Sequence, residues 1–231
     1  EVMYAVTLPE GLRIEELGAL VESAGMGSGA EYVRRARDPQ VIAAYALPFS
    51  GAPATLEGLL VPETYSFRRG ATEVSVMDAQ IAALKAMWDE RRTDRAKELG
   101  LSPYQVVTLA SVVEKETGLA SERPIIAGVF HNRLRLGMRL ESDPTIIYGL
   151  KNYDGNIRAS DIRRPHPWNT YVIPGIPPSP IAAPGRAAID AVLWPQATDA
   201  LFFVATGNGG HHFSATYAEH ARMVRRYQLG Q

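Results

Sequence analysis

The stretch from Ser102 to Leu150 constrains this chain most, because helix punctuation there is combined with more polar side chains than packing requires. Ser102, Pro103 and Gln105 mark a helix start: the Ser oxygen takes an orphan amide, Gln reaches back, and proline's missing donor is harmless in the first turn. Gly118 supplies the stop. On a 3.6-residue repeat Glu116 shares a face with Val106, Leu109, Val112 and Val113, while Glu114 is rotated from it by about 160° and lies with Val107, Ala110 and Ser111. Glu116 is thus expected on the apolar stripe and Glu114 on a more polar face. Desolvation and the nearby negative end of the helix dipole both disfavour the charged form of such an acid. Lifting a Glu from about 4.3 to about 6 or 7 takes roughly 2 to 4 kcal/mol, within reach of a buried site. Glu116 is a candidate general acid, and the competing reading pairs it structurally with Arg123, Arg133, Arg135 or Arg139.

A second helix is expected at once, with Ser121 as cap, Glu122 in the first turn and an apolar side of Ile125, Ile126, Val129, Phe130, Leu134 and Leu136, up to Gly137. Beyond it Arg139, Glu141, Ser142, Asp143 and Thr145 crowd a segment whose Asp143-Pro144 step disfavours helix at Asp143. Polar groups on such a segment beside an acid suit a ligand rich in hydroxyls. From Pro165 to Pro184 seven of the sixteen prolines exclude a helix or an inner strand. Trp168, Tyr171, Val172, Ile173, Ile176 and Ile181 argue against a solvated linker, which would be polar or Gly/Ser-rich. With Asn169 and Thr170 they make a rigid wall able to stack a sugar ring and bond its hydroxyls.

Several ordered motifs carry a resemblance: VVEKETG (Val112 to Gly118), ASER (Ala120 to Arg123), FHNRLRLGMRLESDPTIIYG (Phe130 to Gly149), NTY (Asn169 to Tyr171), GIPPSPI (Gly175 to Ile181) and GGHHFS (Gly209 to Ser214). Together they closely resemble the endolytic murein transglycosylases, the MltG or YceG-like family. The resemblance implies cleavage of the MurNAc-GlcNAc bond in nascent peptidoglycan strands with 1,6-anhydroMurNAc ends, which would terminate glycan polymerisation. It puts the family's catalytic acid on Glu116 and the wall of Trp168, Asn169, Thr170 and Tyr171 in the substrate cleft; with Arg139, Glu141, Ser142, Asp143 and Thr145, read above from their residue types, these form the expected substrate-binding set. It implies no cofactor and no metal. The implied partners are peptidoglycan glycan strands and peptidoglycan synthases. It also implies a single N-terminal anchor in the inner (cytoplasmic) membrane, with the catalytic part on the periplasmic, extracytoplasmic side. Glu141 stands where relatives often have Gln. A second carboxyl at Glu141 or Asp143 would permit a two-carboxylate glycoside hydrolase. The other alternative is a non-catalytic peptidoglycan-binding or scaffolding protein.

Composition narrows the partners. Twenty-four basic against 25 acidic residues leave a net charge of -1, with no footprint for nucleic acid or an anionic membrane surface. The absence of cysteine excludes a disulfide framework and a thiol nucleophile. No run reaches the 18 apolar residues of a membrane span, and the chain opens on Glu1 without a signal-like segment, so a trimmed soluble part is expected.

In chain order, Val2 to Leu8 is expected as a strand and Ile14, Leu17, Val21 and Ala24 as a helix. Short helical pieces at Tyr32 to Arg37 and Gln40 to Tyr45 precede a second strand within Thr55 to Phe67. This β-α-α-β order looks like a LysM module over residues 1–70, either glycan-binding or a packing subdomain. Thr72 begins a long connecting helix over residues 71–100 into a mixed helical catalytic domain, the whole of residues 71–231. Arg186 to Leu193 is expected as a helix, and Leu201 to Ala205 and His211 to Phe213 as a hairpin before a final helix capped by Thr216. His211 and His212, adjacent on a strand, point to opposite faces, which suits a structural or substrate-contacting histidine better than a metal site. The expected class is α+β.

Overall fold

The computed structural model describes residues 2–50 and 53–230. The chain divides into two compact units: one runs to Ser111 and takes in Ser179–Gly185, the other comprises Val112–Pro178 and the chain from Arg186 onward. Helices and two small antiparallel sheets make it α+β.

In the first unit, β1 (Met3–Thr7) pairs antiparallel with β2 (Thr64–Arg68), from Met3 opposite Arg68 to Thr7 opposite Thr64. Three helices lie between them in sequence: α1 (Ile14–Ser23), α2 (Gly29–Arg35) and α3 (Pro39–Ala44). Ser28 caps α2 and Asp38 caps α3 through their side chains. A Cβ on Gly29 would stand 2.6 Å from the Gly18 carbonyl oxygen, so the approach of α2 to α1 requires glycine there. Ile14, Leu17, Val21, Tyr32 and Ile42 are buried from these helices. The strand expected over Thr55 to Phe67 is confined to its end. Leu56, Leu59 and Leu60 are fully buried in a turn instead, where Leu59 N–H donates to Leu56 O and Thr55 Oγ1 accepts from Glu57 N–H. Burial there needs no strand partner.

The helix expected from Thr72 is broken. α4 (Glu73–Met87) ends at Trp88, and α5 (Glu90–Glu98) begins afresh because Asp89 accepts the Arg92 N–H at 2.8 Å. Both fall in the first unit. The unit boundary lies inside α6 (Pro103–Glu116), whose start is the expected reciprocal cap: Gln105 N–H donates to Ser102 Oγ at 3.2 Å, and Ser102 N–H donates to Gln105 Oε1 at 2.9 Å.

In the second unit, a 3₁₀ turn at Ala120–Glu122 leads into α7 (Arg123–Arg135). Ile126, Val129 and Phe130 are buried as the spacing requires. Leu136 is not: it is 58% exposed at the helix end, before Gly137 takes a left-handed φ of 68°. Asn132 and Arg133 turn inward in its place. Asn132 Nδ2 donates to the carbonyls of Thr198 and Ala200, and Arg133 Nε to that of Leu201 at 2.6 Å, which ties the helix to the approach of the C-terminal hairpin. There follow α8 (Asp143–Gly149), α9 (Ala159–Arg163) and α10 (Arg186–Leu193). β3 (Phe202–Ala205) pairs antiparallel with β4 (His211–Ser214), and α11 (Tyr217–Gln228) is capped by Thr216 as expected. Among the described residues no helix is long and apolar enough to cross a membrane.

Candidate active site

Glu116 is the last residue of α6, a helix buried throughout from Val106 to Glu114. Val106, Val107, Leu109, Ala110, Ser111, Val112 and Val113 are each fully buried, so α6 has no polar face to give Glu114. That corrects the sequence expectation: Glu114 is the more enclosed of the two acids, and Arg123 meets its charge at 2.6 Å. α6 also stops two residues before Gly118, which does not adopt a left-handed φ. Thr117 makes the turn, accepting the Leu119 N–H at 3.0 Å and donating to Glu122 at 3.1 Å.

The arginines that could have neutralised Glu116 are engaged elsewhere or lie outside. Besides Leu201 O, Arg133 bonds the carbonyls of Arg139 and Leu140 at 3.0 Å each and the Glu141 carboxylate at 3.2 Å. Arg135 bonds Asn132, and Arg139 is exposed. What bonds Glu116 is the Ser142 hydroxyl, which donates to Oε1. Burial pushes the Glu116 carboxyl up to about 7; the Ser142 bond opposes this, the charge of Asp143 adds to it, and the charge of Arg133 opposes it. Near neutral pH such a group is divided between acid and base.

Ser142 is held by a buried cross-link between two segments. Its N–H donates to Thr170 Oγ1 at 2.9 Å, Thr145 Oγ1 donates to its carbonyl at 2.6 Å, and the two threonine hydroxyls meet at 2.9 Å. Ser142, Thr145 and Thr170 are all buried, so the two threonines build the support for Ser142. Glu141 adopts a φ of 52°, left-handed and strained for a side-chain-bearing residue, and its N–H donates to Thr170 O. Asp143 opens α8 despite the proline after it, since Pro144 falls in the first turn where its missing donor is tolerated. Its carboxylate accepts the Tyr171 hydroxyl at 2.7 Å.

Glu116, Glu141, Asp143 and Tyr171 line one cleft of about 340 Å³, and the rest of its lining comes from β3, β4 and α11, including His211 and His220. The other expected residues stand apart from this lining. Asn169 is buried, its side-chain amide donating to the carbonyls of Asp161, Ile162 and Arg164 at the end of α9. Trp168 packs against Tyr148 and His166, with ring centroids 5.4 and 5.3 Å away. Arg139 offers its carbonyl to Arg133. Two features escaped the sequence reading. Glu122 grips His211, and His220, with a buried Nδ1 that has no hydrogen-bond partner among the described residues, is kept below the usual imidazole range by burial and by Arg133. Neither could be read from spacing, since Glu122 and His211 are 89 residues apart. Among the described residues no three His, Asp or Glu side chains are grouped to hold a metal ion.

The model of the YceG-like family matches residues 1–226. The chain belongs to the YceG-like family. Curated relatives of this YceG-like chain are named endolytic murein transglycosylase. One, from Bacillus subtilis (strain 168), is 28% identical over 97% of this chain and 65% of its own length. Another, from Streptococcus pneumoniae serotype 2 (strain D39 / NCTC 7466), is 32% identical over 98% of this chain and 45% of its own. The chain therefore spans about two thirds of one relative and less than half of the other. A crystal structure of a YceG-like protein from Listeria monocytogenes shares the fold, with a TM-score of 0.81 and 28% identity over 94% of this chain and 74% of that one.

Proposed function

We propose that this chain is a lytic transglycosylase that cuts the MurNAc-GlcNAc bond of peptidoglycan strands and leaves 1,6-anhydroMurNAc ends. The observation that carries the reading is the state of Glu116: a carboxyl with a pKa of about 7, lining an open cleft and bonded by a hydroxyl rather than an arginine. As the acid it gives its proton to the glycosidic oxygen while the C1–O bond breaks. As the resulting carboxylate it takes the proton of the muramyl C6 hydroxyl, whose oxygen bonds C1. Proton and bonds balance without water, so one carboxyl suffices. Glu141 and Asp143, paired with Arg133 and Tyr171, line the same cleft, so a two-carboxylate hydrolase is the second reading.

Around that core, the chemistry falls within residues 71–231, in the second unit, and the LysM-like residues 1–70 are either a second contact for glycan or a packing subdomain. Arg139, Trp168 and the remaining polar residues of the expected set serve strand binding directly or by holding the loops that do. Cleavage of a growing strand would end its polymerisation, beside a peptidoglycan synthase and at the outer face of the cytoplasmic membrane. The test is mass spectrometry of products from uncrosslinked peptidoglycan strands. Ends one water lighter than hydrolysed ends, absent with Glu116→Gln, are expected. Ends that contain the added water would replace the reading with a hydrolase using Glu141 or Asp143.

A further inference from the structure

Glu122 is not part of the cleft lining, yet it binds the histidine that is. Its Oε2 lies 2.7 Å from His211 Nδ1, its Oε1 accepts the His211 backbone N–H at 2.8 Å, and Thr117, next in sequence to Glu116, donates to Oε2 at 3.1 Å. Both side chains are largely enclosed, at 12% and 15% exposure for His211 and Glu122. Burial raises the Glu122 carboxyl, but the bonds from His211 and Thr117 outweigh it and hold the group below its ordinary value, so it is a carboxylate at neutral pH. A carboxylate only accepts, so His211 Nδ1 carries a hydrogen. In the neutral ring the free lone pair is then on Nε2, the one polar ring atom not taken by Glu122. Phe203 meets the ring edge-on at 5.4 Å, so two bonds to one carboxylate and a ring contact fix its orientation before any ligand arrives.

The cleft thus has complementary polar groups: Glu116, when protonated, donates, and His211 accepts at Nε2 in its neutral form. We infer that His211 is a substrate-positioning residue, set by Glu122, whose Nε2 accepts a hydrogen bond from a hydroxyl or acetamido N–H of the sugar held against Glu116. The inference rests on the glycan-cleaving reading above. Because Thr117 joins the same carboxylate, Glu122 also ties the exit of the acid's helix to the strand that carries His211.

Two substitutions separate positioning from mere packing. His211→Asn keeps a donor near the Nδ1 position for Glu122 and removes Nε2, whereas His211→Gln brings an amide toward the Nε2 position. With uncrosslinked peptidoglycan strands as probe, His211→Asn should raise KM about tenfold, as expected for one lost hydrogen bond in an enclosed site. His211→Gln should recover part of that loss, and both should melt with the wild type. In a Glu116→Gln background, His211→Asn should weaken binding of the same strands about tenfold as well. Unchanged KM and binding in His211→Asn would overturn the inference, as would equal losses in both variants accompanied by lower melting temperatures. Cleavage that survives Glu116→Gln would instead remove the acid assignment and leave the His211 result to be read from strand binding. A wild-type chain that neither binds nor cleaves strands would remove both.

Discussion

Two carboxyls in this molecule have the same raised pKa and opposite prospects. Glu57, in the first unit, is 3% exposed and is pushed to about 7 by burial and the charge of Glu15, against the Ile14 N–H bond and Arg13 and Arg37. Glu116, in the second, reaches about 7 chiefly by burial too, but it lines a cleft of about 340 Å³. A perturbed carboxyl is therefore a sign of enclosure first, and becomes a sign of chemistry only where a ligand can reach it.

Removing each proton in turn should break the symmetry most sharply. Glu116→Gln should lower strand cleavage by about 10² to 10⁴-fold, the usual worth of a general acid, while Glu57→Gln leaves turnover unchanged in the same assay. A buried charge of the other kind comes next. Arg133→Met would leave the carbonyls of Arg139, Leu140 and Leu201 short of a donor and should destabilise the fold by about 3 kcal/mol in chemical denaturation.

The pH dependence of stability should then show the two acids behaving alike. From an ordinary value of 4.5 to about 7, the folded state keeps a proton that the unfolded chain releases, so stability falls as pH rises across that window and is level outside it. Glu57→Gln should remove about 3 kcal/mol of that fall, and Glu116→Gln less, because solvent reaches it. Denaturation curves at pH 4 and pH 8 measure both. The smallest effect is expected from Ser142→Ala. Its hydroxyl favours the charged form of Glu116, so its loss should move the alkaline limb of the rate profile upward, by an amount equivalent to about 1 kcal/mol.

The sequence made the ends of α6, α7 and α11 legible through Ser102, Gly137 and Thr216, because capping is a local matter. The face argument for Glu116 failed, because α6 is buried around Glu114 as well, and the resemblance alone separated the two acids. Glu57 was hidden, since a stretch rich in Leu and Val reads as a strand, and only the fold shows a turn burying Leu56, Leu59 and Leu60 around an acid. Arg133 was hidden for a similar reason: helical spacing placed Leu134 and Leu136 on the apolar side, but carbonyls from residues 198–201 drew Asn132 and Arg133 inward. Of the polar residues expected to meet sugar, Thr145, Thr170 and Asn169 bond backbone and one another, a distinction that residue type cannot make.

The most direct test is a carbon-13 NMR titration of the Glu57 and Glu116 side-chain carboxyls, with and without uncrosslinked peptidoglycan strands and with each signal assigned by its Gln variant. Both resonances should titrate near 7, and only that of Glu116 should move when strands are added. A Glu116 that titrates near its ordinary value of 4.5, or one that strands leave untouched, would contradict the account.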